Sequence, residues 1–124
     1  MDKLLRTING GTVYLRKGDY QDYTEINFNG RLEVLDKASI DSVKINNGGQ
    51  CRVKSGGRAG FIEVRKNGVL VVKKGAQVGW ILALPNSNVK IEKGAVIDYL
   101  VDYSGSAELE AGCIVKSHTY PELC

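Results

Sequence analysis

Between Arg52 and Lys93 the 124-residue chain carries nine basic side chains: Arg52, Lys54, Arg58, Arg65, Lys66, Lys73, Lys74, Lys90 and Lys93. Only two acids, Glu63 and Glu92, share that stretch, so its net charge is +7 in a chain whose total is +3. Residues 1–51 are neutral, with seven bases and seven acids, and residues 94–124 hold one base against five acids. Such a block suits a phosphate backbone or an acidic protein surface. The plain alternative is solubility, because outward lysines also keep strand edges from aggregating. Phe61, Trp80 and Tyr99 lie within or beside the block. An exposed ring there would stack on a base, a sugar or a partner's side chain.

Other reactive residue types are sparse. The single histidine, His118, stands near the C-terminus, and the three cysteines, Cys51, Cys113 and Cys124, show no C-x-x-C spacing. Neither a disulfide framework nor a metal site is indicated, no nucleophile motif is present, and no enzyme activity or cofactor is expected. No apolar run approaches the roughly 18 residues of a membrane span, and the opening MDKLLRTING turns polar within six residues. A soluble cytoplasmic protein is expected.

The elements that must position these residues are strands. Glycine supplies 15 residues, and Val plus Ile outnumber Leu by 22 to 11. β-Branched residues lose rotamer freedom in helices and pack well on pleated surfaces. Short alternations such as Val43-Lys-Ile45 and Ile62-Glu-Val64 recur between Asn/Gly pairs, with no sustained helical stripe.

A repeat of nineteen organises them. Gly18, Lys37, Gly56, Gly75, Gly94 and Gly112 form one column, spaced by 19 except for a last step of 18. Three residues earlier stand Leu15, Val34, Val53, Val72, Ile91 and Leu109, and five earlier Val13, Leu32, Cys51, Leu70, Val89 and Ala107. Asn9, Asn29, Asn47, Asn67, Asn86 and Ser104 open the repeats as turn residues. A two-strand unit cannot bury its own apolar side, but stacked units share a continuous core. The expected fold is therefore all-β, a single-domain parallel β-helix of about six coils. A β-sandwich, whose strands also come every 8 to 12 residues, has no reason to keep that register. The solenoid is assigned to residues 9–118, with residues 1–8 as an N-terminal cap and residues 119–124 as a C-terminal tail or cap. Six coils at ~4.8 Å make a rod of roughly 29 Å.

The segment NNGGQCRVKSGGRA from Asn46, and more loosely NGVLVVKKGAQV from Asn67, resembles the AIDA-type repeats of autotransporter adhesin passenger domains. The resemblance implies a right-handed parallel β-helix. The chain departs from that family in carrying Lys and Arg where the family is rich in Ser and Thr, and in lacking a leader or barrel segment. Val72, Val78 and Leu84 stand six apart, as do Ile91 and Ile97, which makes a left-handed hexapeptide β-helix the runner-up. Acyltransferases of that kind would need a catalytic histidine, and His118 lies at the end.

Stacking turns sequence blocks into bands. Lys54 falls over Lys73 and Lys74 over Lys93, a basic ladder along one edge. Phe61, Trp80 and Tyr99 fall on three successive coils, where an internal ladder filling a corner is the favoured expectation and an exposed platform the alternative. Asp22, Asp41 and Asp98 share a column interrupted by Gly60 and Gly79, which argues against a catalytic dyad. Cys51 and Cys113 read as small buried hydrophobes. The function expected is a non-enzymatic intracellular binding module whose basic, aromatic-edged face holds an anionic macromolecule: an acidic protein, a nucleoprotein complex or nucleic acid itself. An inhibitor or adaptor of such a complex would suit this size and charge, phage-borne anti-defence proteins such as anti-CRISPRs included. The alternative is an adhesin- or fibre-like β-helix that binds glycans or self-assembles. Slight caps leave room for a homodimer through one end.

Overall fold

A computed structural model describes residues 5–104 and 107–119 of the chain. The described elements are all strands, and they form two parallel sheets wound into a solenoid. One sheet takes the longer strands: β1 (Leu5–Ile8), β3 (Tyr20–Ile26), β5 (Ser39–Ile45), β7 (Arg58–Val64), β9 (Gln77–Ala83), β11 (Val96–Asp102) and β13 (Ile114–Thr119). The other takes β2 (Gly11–Leu15), β4 (Gly30–Val34), β6 (Gln50–Val53), β8 (Val69–Val72), β10 (Asn88–Ile91) and β12 (Glu108–Leu109). The chain alternates between the sheets, so each coil is one short strand, a corner, one long strand and a second corner.

The repeat sets the register. Val34 lies beside Val53 and Val53 beside Val72, each a step of 19, while Val96 lies beside Ile114, the step of 18. Like side chains therefore stack on like. Leu32, Cys51 and Leu70 are fully buried, as are Val34, Val53, Val72 and Ile91. Burying each aliphatic side chain of this kind contributes about 1.5–3 kcal/mol, and the continuous core substitutes for the one that no single coil could make. The two six-apart series do not continue as equal sides: Val72 and Val78 are buried, but Leu84 is half-buried in a corner, and strands of four or five residues alternate with strands of seven.

Each corner needs one residue in the left-handed region. Between short and long strands this is the reference column, with φ between 64° at Lys37 and 97° at Gly112. Its amides stitch the coils along the rod, Lys37 N–H donating to Gly56 O and Gly56 N–H to Gly75 O, each at 3.1 Å. At the other corner Asn29, Gly48, Asn67 and Asn86 hold positive φ. The asparagine series of the sequence thus needs correction at two positions. Asn47 stands one position early, and Gly48 takes the left-handed place; at the first such corner Gly10 (φ 144°) and Gly11 (φ 74°) hold positive φ rather than Asn9.

The N-terminal segment expected as a cap extends the long sheet: β1 pairs with β3, and Ile8 is buried. Leu4 and residues 120–124 of the tail lie outside the described residues.

Candidate functional site

The long strands bend in the middle. In β5 the side chains of Ile40, Val43 and Ile45 are buried, while the two adjacent residues Asp41 and Ser42 both face outward. The same pattern places Gly79 and Trp80 outward between Val78 and Ile81, and Asp98 and Tyr99 outward between Ile97 and Leu100. Strict alternation would have carried Phe61, Trp80 and Tyr99 inside. The internal aromatic ladder is therefore overturned. Phe61 is half-buried, Trp80 is 42% exposed and Tyr99 is 50% exposed. The two exposed rings lie 4.9 Å apart between centroids at a tilt of 33°. Serines fill the same column at Ser42 and Ser117, so coil stacking itself does not call for a ring there.

The nine bases do not share one face. Lys54 and Lys73 open the corner between short and long strands, and Lys74 and Lys93 form its tip. Arg52 and Lys90 project from the outer face of the short sheet, Arg58 stands at the start of β7, and Arg65 and Lys66 occupy the opposite corner. The expected ladder is present in its stacking. Its tip is built by glycine: the Lys74 stem runs so close that a Cβ on Gly94 would lie 2.9 Å from Lys74 Cγ, and one on Gly112 would lie 2.8 Å from Lys93 Cγ.

Part of the charge is answered inside the molecule. Lys73 Nζ lies 3.0 Å from Glu92, Lys54 3.4 Å from Glu33, Lys90 3.9 Å from Glu110, and Arg65 Nε 3.0 Å from Glu63. Such partly exposed pairs add little stability but do reduce the charge on offer. Among the described residues Arg52, Arg58, Lys66, Lys74 and Lys93 make no ion pair.

Beside the aromatic column the bend carries a shallow groove of about 270 Å³ lined by Arg58, Gln77, Gly79, Val96, Asp98 and Lys116. Close backbones require glycine in the Gly79 column: a Cβ on Gly60 would lie 2.7 Å from the Asp41 carbonyl oxygen, and one on Gly79 2.7 Å from that of Gly60. Asp22 and Asp41, on adjacent coils, both act on the Tyr20 hydroxyl, whereas Gly60 and Gly79 separate them from Asp98. Asp22 accepts the Tyr20 hydroxyl at 2.9 Å, and Asp98 pairs with Lys116 at 3.1 Å.

Some residues gain meaning only on the coils. Asn46 Nδ2 donates to Asn27 Oδ1 at 2.7 Å and to Glu25 Oε1 at 2.8 Å, and Asn27 Nδ2 donates to Asn9 Oδ1 at 2.7 Å. This asparagine ladder ends where Arg65 takes over the column. At the C-terminal end Asp102 and His118 continue the interior columns of Ala83 and Leu100. Asp102, 3% exposed, accepts the Ser104 amide at 2.9 Å and the Ser104 hydroxyl, and faces His118 Nε2 at 3.8 Å. Its counterpart at the other end is buried Thr24, donating to Gln21 Oε1 at 2.6 Å, with exposed Arg6 in the next place of the Thr24 column. The apolar interior thus passes into polar side chains at both ends. The repeat places His118 18 residues after Leu100, and that spacing is the signal by which its position could have been found.

Cys51 is buried, its thiol pushed up to about 12 by desolvation and then by Glu33, and Cys113 is half-buried. Cys124 lies outside the described residues. Among the described residues no three His, Cys, Asp or Glu side chains gather closely enough to hold a metal ion.

Comparisons with protein-family models, with curated proteins and with solved structures find no match. What the chain does must be argued from its own surface.

Proposed function

We propose that the chain is a non-enzymatic binding module that holds an anionic macromolecule, an acidic protein or a nucleoprotein complex, on its basic middle coils and exposed aromatic column. The Trp80–Tyr99 stack carries this reading. Two large rings stand half in water in a column where Tyr23 and Phe61 are half-buried and Ser42 and Ser117 take the remaining places. Arg58, Lys74 and Lys93 supply attraction, and the rings supply the anchor. A small rigid rod of this kind suits an inhibitor or adaptor of a larger complex. A homodimer through one solenoid end remains compatible with this reading, and exposed Arg6 on edge strand β1 opposes pairing through the N-terminal end.

Trp80 is the single tryptophan, so its emission reports the site directly. Titration with polyglutamate and with a single-stranded oligonucleotide should shift that emission at low salt. If three phosphates are held, the log–log salt slope should be roughly −2 to −3. Reversing Arg58, Lys74 and Lys93 to Glu takes the net charge from +3 to −3, each reversal subtracting two, and should abolish the shift. Unchanged affinity in that variant would leave the basic coils as a solvated surface. The competing reading is an adhesin- or fibre-like unit, since stacked rings serve a sugar equally well. A neutral oligosaccharide that moves Trp80 emission without salt dependence would select it.

A further inference from the structure

We infer that the outer face of the long sheet over β7, β9 and β11 docks a protein whose apolar patch is flanked on both sides by carboxylates. This rests on the reading of the chain as a binding module and names the chemistry of its partner.

Beside Trp80 and Tyr99, two residues further along the same strands, stand Leu82 and Val101, paired across coils as the rings are. All four side chains face outward and remain partly exposed. One coil earlier the second column holds Glu63 and before that Lys44 and Glu25, so the aliphatic pair appears where the exposed rings do. A nucleic acid stacks its bases on rings and gains little from Leu82 and Val101. An aromatic anchor with aliphatic neighbours inside a polar rim is the arrangement of a protein interface.

The rim decides what the partner must bring. Glu63 is held by Arg65 at 3.0 Å and Asp98 by Lys116 at 3.1 Å, so both acids bordering the strip are neutralised in place. Arg58, at the start of β7, and Lys66, in the turn after it, are exposed and make no ion pair among the described residues. They stand on opposite sides of the strip, and both are positive. A partner that covers the strip meets them on either flank, and carboxylates there are the complementary groups. A second copy fits poorly. It would set one positive rim against another.

The test selects a ribosome-displayed random peptide library on the intact chain and follows the enriched synthetic peptide by Trp80 emission. The expected sequences carry an apolar or aromatic pair with Asp or Glu on both sides. Their binding should weaken about tenfold or more in Leu82→Ser and in the Arg58→Glu, Lys66→Glu double variant. Both variants should keep the parent's melting temperature. Three results would overturn the inference. The first is enriched peptides indifferent to Leu82. The second is a single-stranded oligothymidylate that binds more tightly than the enriched peptides at the same salt, with dependence on Trp80 but not on Leu82, which would keep a binding module but change its partner. The third is a dimer in light scattering that dissolves in Leu82→Ser, which would assign the strip to a second copy. No enriched peptide, together with no Trp80 response to oligonucleotide or polyglutamate, removes the inference and the binding module alike.

Discussion

The coils around β3 and β5 and those around β9 and β11 share an interior and differ outside. Ile26, Ile45, Val64 and Ala83 follow one another in a single buried column through both regions. On the outer face of the same strands, Glu25, Lys44 and Glu63 give way to Leu82 and Val101, and half-buried Tyr23, Ser42 and Phe61 give way to the exposed Trp80 and Tyr99. At the neighbouring corner the hydrogen-bonded asparagines Asn27 and Asn46 give way to Arg65 and Leu84. Since both regions fold on the same register, the outer difference is not required by stacking. Parallel stacking constrains the inward columns strongly and the outward ones weakly, and the weakly constrained columns are where a binding surface can be written.

The largest expected effect tests the shared half of this comparison. Val72→Asp places a carboxylate in a fully buried column and should cost several kcal/mol in urea unfolding, a large part of the ~5–15 kcal/mol a domain holds. Val71→Asp, one residue away on the outer face, should cost about 1 kcal/mol or less. Equal losses would erase the distinction between inside and outside. Alkali should act on the same interior. Burial raises the Cys51 thiol from 9.0 to about 12, so the folded state favours the protonated form. That contribution is complete below pH 9 and is lost as pH rises toward 12. Cys51→Ala should flatten this part of the stability profile; a profile unchanged by the substitution would place the thiol in water.

Corner substitutions probe the regions with smaller effects. Gly75→Ala forces a side chain into φ 81° and should cost about 1–2 kcal/mol, whereas Lys37→Gly, at φ 64°, should stabilise by up to about 1 kcal/mol. Lys37→Gly with no gain would mean that the corner carries no backbone strain. Asn46→Ala breaks two side-chain hydrogen bonds and should cost about 1 kcal/mol, while Arg65→Ala in the same column should cost only a few tenths. Equal costs would mean that the asparagine ladder adds nothing beyond its place in the corner.

The inward columns were legible because a period of 19 repeats the same burial demand at Val34, Val53 and Val72. The left-handed column was legible for a similar reason, since glycine recurs where a Cβ would strain the corner. The rings were misplaced because alternation from Ile40 points to Ser42 as the next inward residue. The alternation Val43-Lys-Ile45 places Ser42 outward instead, and the bend that turns Asp41 and Ser42 outward together joins these two phases. The asparagine corner was read one residue early at Asn47, because Asn and Gly both suit the left-handed place and stand side by side there. Ion pairs such as Lys73–Glu92 join residues 19 apart, so a block count of charge could not show which bases were already answered.

Urea unfolding of the Trp80→Ser, Tyr99→Ser double variant tests most directly whether the outer face of β9 and β11 is free for a partner. Rings that only stack on each other at the surface contribute about 0.5–1.5 kcal/mol, so the variant should unfold within about 1.5 kcal/mol of the parent with an unchanged denaturant slope. A loss of about 3 kcal/mol or more, the cost of removing a core aromatic, would mean that the rings hold the coils together and that this face is not a docking surface.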